Sequence, residues 1–322
     1  MNNSLVTVFG GSGFLGRHTV RALAKAGYRI RVAVRHVHGG YFLIPNGHVG
    51  QIQVVKCDAT DPDQVAAALH GAHAAVNLIG SLNGRFESLH VDAARIVAEA
   101  ARAAGLRSLV HVSSIGADAG SPSRYLCTKG EGEAKVREAF AEATILRPSV
   151  VFGPEDRFFN KFASLARFVP ALPLIGGGHT RLQPVFVGDA AAAIARCVSD
   201  VSTHGKIYEL GGPTVYSFAE LMRIVLQETG RKRLLVPVPF VLASIKAFFL
   251  QMPAILGLEP MLTMDQVRML KVDNVVHDGA LTLADLGIAP IAPEAVTASY
   301  LWRFRAKGQY EEVATSRVPA QR

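Results

Sequence analysis

The chain has 322 residues, 49% of them hydrophobic and 19% charged, the make-up of an ordinary globular protein with one large core, or one large domain carrying a smaller lobe. Its three cysteines, Cys57, Cys127 and Cys197, stand far apart without CxxC or histidine-paired spacing, which suggests neither a disulfide framework nor a zinc site and fits a reducing compartment. The formal net charge of +8 suits an anionic partner such as a nucleotide, acidic lipid or acidic protein face. Arg231-Lys232-Arg233 is the only tight basic cluster and there is no nucleic-acid recognition motif, so nucleic acid is not expected as a partner.

The first apolar run, Leu5–Phe9, begins almost at Met1 and leaves no room for a signal or transit segment. It meets a glycine-rich turn, after which residues 14–26 have helical spacing and stop at Gly27. Further strands are expected at 30–34, 52–55, 74–79, 108–112 and 144–146. Between them lie a helix capped by Asp61 with Pro62 in its first turn, an alanine-rich helix over 91–104 and a helix over 125–141. Strands alternating with helices over short connections imply a parallel sheet covered on both faces, a Rossmann-type doubly wound α/β domain over 1–150.

Beyond Arg147 glycine and proline become frequent and the alternation breaks, so a smaller, mostly helical lobe is expected over 151–306, followed by a polar tail over 307–322. Ser217 with Glu220, and Thr263 with Gln266, read as capping boxes. Between them lies the most apolar stretch, 234–258. Pro237, Pro239 and Pro253 interrupt it and Lys246 sits near its middle, which argues against a transmembrane helix. A helix over 239–252 would be apolar on most faces, suited either to a membrane surface, to a partner, or to the lobe's own core.

The segment Val8-Phe9-Gly10-Gly11-Ser12-Gly13-Phe14-Leu15-Gly16 follows a strand and opens a helix, the setting of a dinucleotide-binding turn. Gly10 permits the turn, Gly13 admits the pyrophosphate, Gly16 lets helix and sheet pack, and the helix N-terminus offers its N–H groups to the anion. At the end of the second strand, where an NAD-binding fold places a carboxylate, the chain reads Val34-Arg35-His36. Arg35 either forks a 2′-phosphate, favouring NADPH, or is a solvated surface arginine. Asp58 is placed either for the adenine amino group or as a loop residue.

These residues, with Asn77-Leu-Ile-Gly80, Ser113-Ser114, Tyr125-Leu-Cys-Thr-Lys129 and Leu146-Arg-Pro-Ser149, resemble the extended and atypical branch of the short-chain dehydrogenase/reductase superfamily. The resemblance implies nucleotide contacts from Gly10, Gly13, Phe14, Leu15 and Gly16, from Arg35, His36, Asp58 and Ala59, and from Leu78, Ile79 and Gly80. It adds Ser113, Tyr125, Lys129, Pro148, Ser149 and Val151. It also implies a hydride-transfer site of Ser114, Tyr125 and Lys129, working or vestigial, in which Lys129 and oxidised nicotinamide depress the Tyr125 pKa. One departure stands out: His90-Val-Asp-Ala-Ala replaces the Asn-Val-x-Gly-Thr of many extended members, so His90 reads as an ordinary capping or packing histidine, and its presence argues against an intact proton relay.

A narrower resemblance rests on four runs: residues 133–140, 143–149, 151–160 with Phe152-Gly-Pro-Glu-Asp156, and 183–189. It extends to 262–276, Asp285-Leu-Gly-Ile288 and Tyr300-Leu-Trp302. These resemble the NADH dehydrogenase alpha subcomplex subunit 9 family, accessory subunits of respiratory complex I with bacterial relatives. The resemblance implies tightly held NADPH in a structural or assembly role near the quinone junction. Partners would be complex I subunits, and the location peripheral, on the cytoplasmic side of a bacterial inner membrane or the matrix side in a mitochondrion. A freestanding NADP-dependent reductase or epimerase, and an NADP-sensing regulator, are the alternative functions.

Overall fold

The computed structural model describes residues 4–82, 84–251 and 262–310. Met252, the expected end of the apolar helix, and most of the tail lie outside them. The chain opens with β1 (Leu5–Phe9), α1 (Phe14–Lys25), β2 (Arg29–Val34), β3 (Ile52–Lys56), α2 (Pro62–Leu69) and β4 (Ala74–Asn77). A π-helical turn, Glu87–Asp92, then leads into α3 (Ala93–Ala103), followed by β5 (Ser108–Val112), α4 (Arg124–Ala139) and β6 (Thr144–Pro148). β4 is two residues shorter than expected because the Asn77 side chain turns back to accept the Ile79 N–H at 3.1 Å, which releases the chain from the sheet.

From here come β7 (Val151–Phe152), α5 (Phe159–Phe168), β8 (Ala171–Ile175), β9 (Arg181–Leu182), β10 (Val185–Phe186), α6 (Val187–Ser199) and β11 (Ile207–Leu210). The last stretch holds β12 (Tyr216–Ser217), α7 (Phe218–Glu228), β13 (Leu234–Val238), α8 (Phe240–Leu250), α9 (Met264–Met269), α10 (Pro293–Val296) and α11 (Ala298–Leu301). Seven strands form one parallel sheet in the order β11-β6-β5-β4-β1-β2-β3. Because β1 starts the chain at the middle and later strands add outward in both directions, the order reverses between β1 and β4, where such sheets open a crevice at their carboxyl ends. α6 and β11 bring the chain from beyond residue 150 back to this sheet.

Side chains alternate across each strand, so the sheet supports two cores. Val6, Val8, Val110 and Val112 pack against α1 and α6 through Val20, Leu23 and Ile194. Phe9, Ala75, Leu109 and Ile145 pack against α2, α3 and α4 through Val65, Val97 and Val136. Each fully buried Val, Ile or Leu here contributes about 1.5–3 kcal/mol. A third core, around Phe152, Phe159, Leu172, Phe218, Met222 and Leu301, belongs to the helices and short paired strands of the C-terminal part. α8 packs on α9 through Ala243, Ala247 and Val267. Its outer face is open: Val241 is 71% and Phe249 61% exposed. Among the described residues no helix is long and apolar enough to cross a membrane.

Helix termini follow local chemistry. Asp61 caps α2, accepting from the Asp63 and Gln64 N–H groups, and both expected capping boxes are formed, Ser217 with Glu220 and Thr263 with Gln266. α4 carries two interior glycines, costly for a helix, and both are close approaches. A Cβ on Gly132 would lie 2.0 Å from the His90 carbonyl oxygen, and one on Gly130 2.5 Å from the Ala119 nitrogen. Gly132→Ala is therefore expected to destabilise the chain by about 1–3 kcal/mol through overpacking, read as a lower denaturation midpoint. Propensity alone predicts a gain of about 1 kcal/mol, so a stabilised variant would refute the contact.

Candidate functional site

The sequence-expected residues gather along the carboxyl edge of the large sheet. Gly10, with φ +76°, makes the turn after β1, and a Cβ there would stand 3.2 Å from the Leu78 carbonyl carbon, across the point where strand order reverses. A Cβ on Gly16 would lie 2.3 Å from the Gly10 oxygen, so α1 starts hard against the turn. Gly13 is its N-cap and has no side-chain cap, and its first turn carries no acid, leaving N–H groups at the crevice. Phe14 and Leu15 form that first turn and are partly buried.

Arg35 and His36 follow β2 and are exposed. Asp58 and Ala59 follow β3. The Asp58 carboxylate accepts from the Thr60 N–H and hydroxyl, which hold its pKa below the usual range, with a smaller contribution from Arg35 and Arg85. The Asp58 side chain is thus engaged locally, and Arg35 and Arg85 are near enough to act on it electrostatically. Arg85 carries φ +43°, uncommon for a residue with a side chain.

At the other end, Leu78, Ile79 and Gly80 follow β4, and Ser113 and Ser114 follow β5. Tyr125 stands in the first turn of α4, hydrogen-bonded to Ser114. Lys129 lies one turn later, 4% exposed, its Nζ donating to the Val112 carbonyl at 3.1 Å and passing beneath Gly80, whose Cβ would meet it at 3.3 Å. Burial lowers the Lys129 pKa to about 8, opposed by the charge of Glu133. Burial raises the Tyr125 pKa to about 12, with Ser114 pulling the other way. Desolvation outweighs the Ser114 hydrogen bond at Tyr125, and the Lys129 amine is engaged by the Val112 carbonyl.

His90 is held at both ring nitrogens. Its Nε2 accepts the Ser81 N–H at 3.0 Å, so Nδ1 carries the proton and donates to the Thr128 hydroxyl at 2.9 Å. Burial and the nearby Lys129 push its pKa down to about 3. It is a neutral packing histidine that ties the turn after β4 to α4. Ser149, expected at the nucleotide, has its hydroxyl on Asn274, 2.6 Å from Oδ1. Pro148 ends β6, and Val151 begins β7, which pairs with β10.

Three further features belong to this region: Ser113 was expected at the nucleotide, whereas Asn77 and His111 were given no role from sequence. Asn77 Nδ2, Ser113 Oγ and both ring nitrogens of His111 are buried without a hydrogen-bond partner among the described residues. Asn77 and His111 are register neighbours on β4 and β5. Asn77 and Ser113 stand where these strands end at the crevice, and buried polar atoms of this kind call for a polar ligand. With the uncapped α1 terminus and the glycine cradle, they fit a dinucleotide whose diphosphate lies at α1 and whose far end lies toward Lys129.

A family model described as the NAD dependent epimerase/dehydratase family matches residues 6–211. The chain belongs to that family. It is 35% identical over 328 residues, 98% of its own length and 82% of the relative's, to the mitochondrial NADH dehydrogenase [ubiquinone] 1 alpha subcomplex subunit 9 of Arabidopsis thaliana. It therefore also belongs with the subunit 9 proteins. A ceramide reductase of Caulobacter vibrioides is 35% identical over 73% of this chain and 74% of its own. Among solved structures, an NADPH-dependent quinone oxidoreductase of Escherichia coli, complexed with NADPH, superposes with a TM-score of 0.73. That match covers 92% of this chain and 98% of the other at 22% identity, and so speaks to the fold. The family and the crevice together make this an NAD(P)-binding fold.

Burial also lowers the His111 pKa to about 3, helped by Lys129 and His90. An unfolded histidine titrates near 6.5, so on acidification the unfolded chain takes up protons that the fold refuses, and stability falls from about pH 6.5 toward pH 3. His111→Leu leaves no unpaired ring nitrogens. It is expected to be neutral or mildly stabilising at neutral pH and to soften the acid loss, measured as urea midpoint against pH. A variant strongly destabilised at neutral pH would mean the ring has a needed partner.

Proposed function

We propose that the chain is an NADPH-holding accessory subunit of respiratory complex I with a structural or assembly role. The observation that carries this reading is the 35% identity to a subunit 9 protein along 98% of the chain. The β1–α1 cradle holds the diphosphate, with no acidic side chain in the first turn to oppose it. NADPH rather than NADH is supported by Arg35 at the end of β2, where a carboxylate would otherwise take the ribose hydroxyls, with Arg85 a second cation near Asp58.

When bound, the nicotinamide supplies a hydride donor. Lys129 holds the adjoining ribose, and Tyr125 with Ser114 can present a hydroxyl to a carbonyl oxygen. Burial keeps the Tyr125 hydroxyl protonated, able to donate to a dinucleotide or to a carbonyl oxygen. The site is in this reading vestigial. The chain sits peripherally, on the cytoplasmic side of a bacterial inner membrane, with its complex I partners at the junction of the two arms. The exposed face of α8, with Lys246 beside it, lies toward the membrane surface.

A second reading, a freestanding NADP-dependent reductase, is favoured by the ceramide reductase relative and by Ser114, Tyr125 and Lys129 lying in one place. Fractionation separates the two. After mild detergent solubilisation the chain is expected to migrate with complex I on a native gel. Recovery in the soluble fraction, free of complex I, would favour the reductase.

The cofactor assignment has its own test. Arg35→Asp removes a charge-assisted contact worth about 1.5–3 kcal/mol, so the Kd for NADPH should rise about tenfold to a hundredfold while that for NADH stays within about threefold. Equal losses for both, by fluorescence titration, would remove Arg35 from the 2′-phosphate site.

A further inference from the structure

We infer that Asp265 is a positioning residue through which the C-terminal segment sets the Tyr125 site, an inference that rests on reading Tyr125 and Lys129 as the nicotinamide end. The first turn of a helix leaves N–H groups without partners inside the helix. In α4 the N-cap Ser123 accepts only the Leu126 N–H, at 3.4 Å. The Arg124 and Tyr125 N–H groups go instead to Asp265, at 2.7 and 3.0 Å, and the Ser123 hydroxyl donates to the same carboxylate at 2.9 Å. A residue 140 positions further along the chain thus completes the helix start that carries Tyr125, with its negative charge at the favourable end of the helix dipole.

Asp265 is itself fixed. It lies in the first turn of α9, whose capping box sets that helix's start, and Val267 beside it is fully buried against Ala243 and Ala247 of α8. Past α9 the chain crosses the ends of β5 and β6: Asn274 donates to the Ile115 carbonyl at 3.2 Å and accepts the Ser149 hydroxyl. Residues 263–277 therefore form a strap over the strand ends that flank Tyr125. Placement of a reacting or orienting group matters at the scale of about 1 Å, and the strap fixes where the first turn of α4 stands. Because α9 also packs on α8, a load on the exposed face of α8 reaches Asp265 through one helix.

The test compares NADPH with 2′-phospho-ADP-ribose, which lacks the nicotinamide. The wild-type chain should bind NADPH the more tightly. Asp265→Ala should raise the Kd for NADPH about fivefold to twentyfold and leave the fragment within about twofold, which also reports an intact β1–α1 cradle. Asp265→Asn, which keeps one acceptor oxygen, should fall between. A role confined to general stability would weaken both ligands in proportion, or neither, and either result overturns the inference. A wild-type chain that does not distinguish the two ligands would refute the reading of Tyr125 and Lys129, and the inference with it.

Discussion

A carbonyl oxygen and a missing methyl group govern the nucleotide half of this protein. The Gly10 oxygen lies where a Cβ on Gly16 would stand, 2.3 Å away, and a Cβ on Gly16 would also come within 2.6 Å of the Gly11 Cα. Only a glycine lets α1 begin so close to the turn that ends β1. That closeness aims the uncapped helix terminus at the gap between β1 and β4, where the sheet order reverses. The strands on either side then have no freedom over which of their residues reach the crevice: those just past their carboxyl ends must do so. Arg35, Asp58, Gly80 and Ser113 are thereby placed by topology before any of them makes a contact.

The far end of the crevice depends on how α4 is held. Gly132 packs onto the His90 carbonyl, the His90 ring bridges Ser81 and Thr128, and Asp265 caps the first turn. All three contacts come from outside the helix, and each fixes a different part of it. Lys129 gains its position from the same packing, buried with its amine on Val112. The cost is a group of polar atoms without partners, Asn77, Ser113 and His111. At the crevice, Asn77 and Ser113 are where a polar ligand would find partners.

Much of this was legible in the sequence because the signals were local. The glycine turn, the alternation of apolar strands with helices, and the three helix starts at Asp61, Ser217 and Thr263 each depend on residues a few positions apart. What could not be read depends on distant partners. Asp265 looked like one more residue of a capped helix, and nothing near it in sequence points to Tyr125. Ser149 carried a familiar motif, yet its hydroxyl is taken by Asn274, 125 residues away. The return of α6 and β11 to the large sheet was hidden by the glycine and proline between 150 and 187, which suggested a departure that the chain reverses. His90 was readable as a packing histidine, but not the Ser81 and Thr128 partners, 9 and 38 residues away, that hold its ring.

The nucleotide itself offers the most direct test. The full-length protein is purified without added cofactor, denatured, and the released nucleotide identified by chromatography and counted against protein. The account predicts close to one NADPH or NADP per chain. Release of NADH or NAD in its place, or a chain that folds and carries no nucleotide at all, would contradict it.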